Sequence, residues 1–115
     1  MSGMLLNLTQ DRVLARKIRY CDNVWNRMVG LLATPHPDAN LACWLVPCNA
    51  IHTFGMKYAI DALFLNKKNK IVAIKRNLKP NRFSPIVRGA HSVVELVSGV
   101  EVNSFVGDQL ILKSL

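Results

Sequence analysis

Six short apolar runs carry most of the hydrophobic positions of this chain: MLLNL, LACWLV, IDALFL, IVAI, VVELV and LILKSL. Asn, Asp, Gly and Pro separate them at short intervals, the pattern of a mainly β chain. The expected fold is a single domain, a compact β-sandwich or barrel of about 6–8 short strands with one or two short helices. Strands are predicted over residues 4–8, 13–20, 41–46, 59–65, 70–78, 92–97 and 109–113. The fourth and fifth read as a hairpin around Asn66-Lys67-Lys68-Asn69, because Asn tolerates the positive φ of such turns. A helix is predicted over 24–32, capped by Asp22 or Asn23, with Trp25, Met28, Val29 and Leu32 on one face. That face is expected to pack on the core. Ser98-Gly99-Val100-Glu101 has capping-box spacing and predicts one more helical turn. Residues 34–40 and 79–89 are loops, and Asp108 after Gly107 is a turn residue that accepts from nearby amides.

Two carboxylates break this pattern. Asp61 interrupts AIDALFL on the face of Leu63 and Leu65, and Glu95 interrupts VVELV on the face of Val93 and Val97. A buried carboxylate without partners costs several kcal/mol, so each needs a cation, amides or water. Candidate partners are His52, Thr53, Arg27, Arg82 and Arg88. Just ahead of Asp61 runs Ile51-His52-Thr53-Phe54-Gly55-Met56, where a loop enters an apolar strand. Phe54 and Met56 are expected to plug the core, with Met56 also able to line a pocket. If His52, Asp61 and Glu95 share one cavity, a neutral His52 can serve as general base or metal ligand there.

Charge narrows the readings. The net charge is +8, and residues 57–88 hold nine Lys or Arg against Asp61 alone. Such a face attracts anions. Only Phe83 lies among the basic residues between Arg82 and Arg88, and no helix-turn-helix, zinc-finger or aromatic RNA-binding pattern accompanies it, which weighs against nucleic acid. No run approaches the roughly 18 apolar residues of a membrane span. Neither a basic leader nor a cleavage site opens the chain, so a cytoplasmic protein is expected. Three cysteines cannot all pair, and Cys43-x4-Cys48-x3-His52 is a loose zinc spacing that would still need His36 or His91. No metal is therefore assigned. Neither a nucleophile elbow nor a glycine-rich phosphate loop is present, so no cofactor is implied. Cys48, four residues from His52, is a weak nucleophile candidate.

Taken in order, Arg27 with Gly30-Leu31-Leu32, Ile51 through Met56, Ile60-Asp61 with Leu63-Phe64-Leu65, Glu95-Leu96 with Gly99, and Gly107-Asp108 resemble the domain of unknown function 192 family. The resemblance spans roughly residues 4–112 and implies a β-sandwich or barrel with one or two short helices, without an assigned activity. The leading expectation is a β-domain that binds an anionic small molecule or an acidic protein segment. Its recognition surface would hold His52, Thr53, Met56, Asp61 and Glu95, with Arg27, Arg82 and Arg88 as anion contacts. The rival is an acid/base or metal-assisted hydrolase using His52 with Asp61 or Glu95. A third reading is weak nucleic-acid binding through residues 57–88.

Overall fold

All seven predicted strands form. They are β1 (Ser2–Asn7), β2 (Arg12–Cys21), β3 (Leu41–Leu45), β4 (Ile60–Leu65), β5 (Ile71–Leu78), β6 (Ser92–Val97) and β7 (Leu110–Ser114). In the computed structural model, which describes residues 2–114, they make one sheet in the order β5-β4-β6-β3-β2-β1-β7. The sheet curls into a half-barrel. Its two edges meet at one end, where Lys70 bridges Gln109 and the Ile71 amide donates to the Asp108 carbonyl at 2.9 Å. The β4–β5 turn forms as expected: Asn69 takes φ 63°, and the Asn66 side chain accepts from the Lys68 and Lys70 amides.

Every neighbouring pair is antiparallel except β2–β3, where Lys17 lies opposite Leu41 and Cys21 opposite Leu45. Parallel strands need a crossover rather than a turn. Here it consists of helix α1 (Val24–Val29), a 3-10 turn (Gly30–Ala33) and a loop over 34–40. The Asn23 side chain caps α1 by accepting from the Asn26 amide at 2.8 Å.

Strands β3, β4 and β6 are buried on almost every residue, so both their faces need cover. Leu63, Leu65, Val94, Leu96 and Trp44 face inward and meet Leu5, Leu14, Ile18 and Leu110 from the curled flanks. Ile60, Ala62, Phe64, Val93, Cys43 and Leu45 face the other way and meet Leu31, Ile51 and Met56 from the crossover and loops. Irregular chain therefore covers one face of a rigid sheet, a setting that suits a binding site.

Four local expectations fail. The α1 face does not enter the core: Trp25 is 70% exposed and Met28 56%, and no residue of α1 is buried. The helix ends three residues early, at Gly30, and the chain tightens into the 3-10 turn that buries Leu31. Ser98–Glu101 forms no helix; Glu101 turns inward, accepts from the Asn103 amide at 2.6 Å and pairs with Arg12 at 3.6 Å. Phe54 lies outside, stacked on His52, while Met56 is buried as expected.

Candidate functional site

Asp61 and Glu95 do not meet. Ala62, not Asp61, stands opposite Glu95 in the β4–β6 register, and Asp61 stands opposite Leu96. Alternation then puts the two carboxylates on opposite faces of the sheet. No dyad of these acids exists, and no hydrolase built on His52 with both of them is possible.

Asp61 is a structural carboxylate. Opposite it, β5 spends three steps from Lys75 to Leu78 where β4 spends two from Ala62 to Ile60, a β-bulge with Asn77 at φ 54°. Asp61 Oδ1 accepts the Asn77 amide at 2.7 Å and Oδ2 the Gly99 amide at 3.2 Å, with Arg76 3.7 Å away. Arg76 also donates to the Glu101 and Ser104 carbonyls. None of the expected partners of Asp61 takes part. Thr53 is likewise buried and structural: its hydroxyl donates to the Lys79 carbonyl at 2.6 Å and accepts from the Arg82 amide at 2.8 Å. Asp108 accepts from the Phe105 amide as expected, and also from the Asn7 and Gln10 side chains.

On the other face, α1 and the segment around 47–56 enclose a cleft of about 300 Å³. Glu95, Arg27, His52, Met56 and Cys48 line it, and Val24, Met28, Leu32 and Phe54 add apolar wall. Arg82 and Arg88 are exposed and are not among the residues that line it. Four of the eight predicted site residues therefore converge: Arg27, His52, Met56 and Glu95.

His52 fixes the cleft instead of acting in it. The Phe54 amide donates to Nδ1 at 3.2 Å, so the ring proton sits on Nε2, which donates to the Met28 carbonyl at 3.1 Å. Both nitrogens are engaged, so His52 offers neither a free base nor a metal ligand. Among the described residues, no three His, Cys, Asp or Glu side chains are placed to hold a metal ion.

Other polar ties hold the crossover down. Arg19 donates to the Gly30 carbonyl at 3.3 Å and to Thr34 Oγ1 at 2.8 Å, and the Tyr58 hydroxyl donates to the Thr34 carbonyl at 2.7 Å. Neither Arg19 nor Tyr58 carries a motif, and nothing in the sequence singles them out.

At the cleft floor, Glu95 Oε1 accepts from the Leu31 amide at 3.1 Å. Among the described residues Oε2 has no protein donor, although Glu95 is only 4% exposed. Burial pushes this carboxyl up to about 7, against the pull of the Leu31 amide. Cys48 is pushed up by burial too, and its thiol donates to the Ala50 carbonyl at 3.1 Å, which makes it a poor nucleophile.

Gly30 makes this approach possible. It adopts φ 45°, ψ −129°, and a Cβ there would lie 2.4 Å from Glu95 Oε1. Gly30→Ala is expected to cost about 2 kcal/mol or more, from backbone strain and displacement of the carboxyl. A thermal melt of the variant coinciding with wild type would contradict this account of the contact.

The architecture is thus a β half-barrel whose parallel crossover roofs a polar-floored cleft. The chain belongs to the domain of unknown function 192 family (Uncharacterized ACR), whose profile matches residues 5–110. It is 31% identical over 114 residues to a UPF0127 protein of Thermococcus sibiricus, covering 93% of this chain and 73% of the relative. It is 29% identical over 113 residues to a UPF0127 protein of Pyrococcus furiosus, covering 92% and 95%. Two crystal structures share the fold. One, of a Novosphingobium aromaticivorans protein of unknown function, has TM-score 0.77 and 13% identity over 95% of this chain and 82% of its own. The other, of a Sinorhizobium meliloti protein described as a candidate transcription regulator, has TM-score 0.78 and 18% identity over 96% and 91%. No helix in the described residues is long and apolar enough to cross a membrane.

Proposed function

We propose that this chain is a ligand-binding domain whose site is the cleft beneath α1, taking a small molecule with an apolar body and an anionic head. One observation carries the reading: the cleft joins the Arg27 cation and the unpaired oxygen of Glu95 to exposed apolar wall from Val24, Met28 and Phe54. Its volume lies at the lower end of the range for small-molecule sites. Arg27 is the one cation of the lining and suits a carboxylate or phosphate head. Glu95, with its carboxyl held near 7, carries a proton in part of the population at neutral pH and can then donate to a head-group oxygen. A reducing, cytoplasmic setting goes with this reading, because three cysteines cannot all pair and no disulfide framework is spelled by the chain.

Decanoate and decyltrimethylammonium, titrated into labelled protein and followed by amide NMR shifts, test the reading. Decanoate is expected to move the amides of Met28, Leu32, Ala50 and His52, and Arg27→Gln to weaken it about tenfold. Equal affinity for the cationic amphiphile, or shifts mapping to another face, would remove the proposal.

A further inference from the structure

Surface charge is more one-sided than the composition implies. Of the seven acids, Asp61, Glu95, Glu101 and Asp108 are buried, which leaves Asp11, Asp22 and Asp38 at the surface. Among the described residues no Lys or Arg is buried. From residue 57 to 88 every charged side chain that reaches solvent is therefore a cation.

In and beside this basic run stand large apolar side chains. Phe83 is 72% exposed, Ile86 71% and Trp25 70%, and none of them lines the cleft. The segments that carry them are tied together. His52 bonds α1 through the Met28 carbonyl and bridges to Phe83, and the Phe54 and Phe83 rings are 6.3 Å apart. The Ser84 and Val87 amides donate to the Ile51 and Asn49 carbonyls, which fixes Ile86 beside the same wall. Arg82 and Arg88 flank these residues in the chain, and Arg27 lies on α1. Asp22, at the head of α1, is the one exposed acid beside them.

We infer that this face, formed by α1 and the 79–88 loop, docks on an anionic lipid surface. Trp25, Phe83 and Ile86 would enter the headgroup boundary, and Arg27, Arg82 and Arg88 would meet lipid phosphates. The observation that favours a bilayer over an acidic protein is that the three outermost apolar side chains, one on α1 and two on the loop, project to solvent outside the cleft and are flanked by cations. A deformable interface accepts such a set, whereas a folded partner offers shaped pockets. Basic residues are drawn to an anionic bilayer, and inserted aromatic and aliphatic side chains add apolar burial. This inference stands apart from the cleft reading, because soluble decanoate tests the one and vesicles the other.

The test uses vesicles of phosphatidylcholine alone and of phosphatidylcholine with phosphatidylglycerol, near physiological salt. Flotation with only the anionic vesicles is expected, with a blue shift in tryptophan emission. Trp44 is already buried, so the shift should come from Trp25 and vanish in Trp25→Phe. The double change Phe83→Ser, Ile86→Ser is expected to lower partitioning at least about tenfold. Val102→Ser with Phe105→Ser, on a different exposed loop, should leave it unchanged. Failure to float, or flotation with neither the Trp25 shift nor a loss in the Phe83/Ile86 variant, overturns the inference; the latter is adsorption by charge alone. Capture by poly-glutamate that is lost in the same variant, without vesicle binding, overturns it in favour of an acidic protein.

Discussion

Between about pH 4.5 and pH 7 the folded chain is expected to lose on the order of 3 kcal/mol of stability through Glu95, and Glu95→Gln to remove that loss. The carboxyl holds its proton more tightly folded than unfolded, because burial penalises the charged form. Its contribution is therefore complete below the unfolded value, declines as pH rises through that window and stays flat above it. Gln keeps an oxygen for the Leu31 amide and puts a neutral donor where Oε2 faces the cleft. Urea or thermal unfolding at a series of pH values checks this, and the difference between variant and wild type cancels the three histidines. Near pH 8 the variant should melt roughly 10 °C above wild type, with the two curves converging near pH 4. Parallel curves across the whole range would show that Glu95 stays ionised and that the cleft floor is wet.

Asp61→Ala should carry a similar cost for a different reason. It leaves the Asn77 and Gly99 amides without their acceptor and removes the carboxylate facing Arg76. Losses of about 3–4 kcal/mol and roughly 10–15 °C in melting temperature are expected. Asp61→Asn keeps an acceptor for one amide and turns an NH2 group toward the other, so its loss should be smaller but not absent. Below its melting temperature, neither variant should change decanoate binding, because Asp61 faces away from the cleft. Normal stability with abolished binding would invert the assignment and return Asp61 to the site.

The strands were legible because turn residues punctuate apolar runs, and alternation alone put Asp61 with Leu63 and Glu95 with Val93. What alternation lacks is register: only the pairing of Ala62 with Glu95 shows that the two acids part company. The helix misled for a related reason. A stripe at helical spacing marks one face as apolar but not which side of it the protein lies on. On a six-residue helix held down by polar ties and the buried Leu31, the stripe of Trp25 and Met28 faces out. Arg76 was hidden in the basic run over 57–88, where it resembles any solvated cation until the bulge places it against Asp61. Gly30 reads as an ordinary helix stop, and its role as clearance for a carboxyl 65 positions later in the chain has no local signal.

The single parallel pair has a consequence for how such a protein can diversify. Because β2 and β3 run the same way, the chain has to travel back across the sheet between them, so a roof over that face is built into the topology. What the topology does not dictate is the roof's composition. Residues 22–40 contribute Leu31 to the core and Gly30 to the Glu95 contact, and most of their other side chains are exposed and lie outside the strand registers. Under the proposed ligand-binding role, ligand preference would thereby be separated from foldability: one barrel could be re-roofed for a new guest while its walls stay as they are.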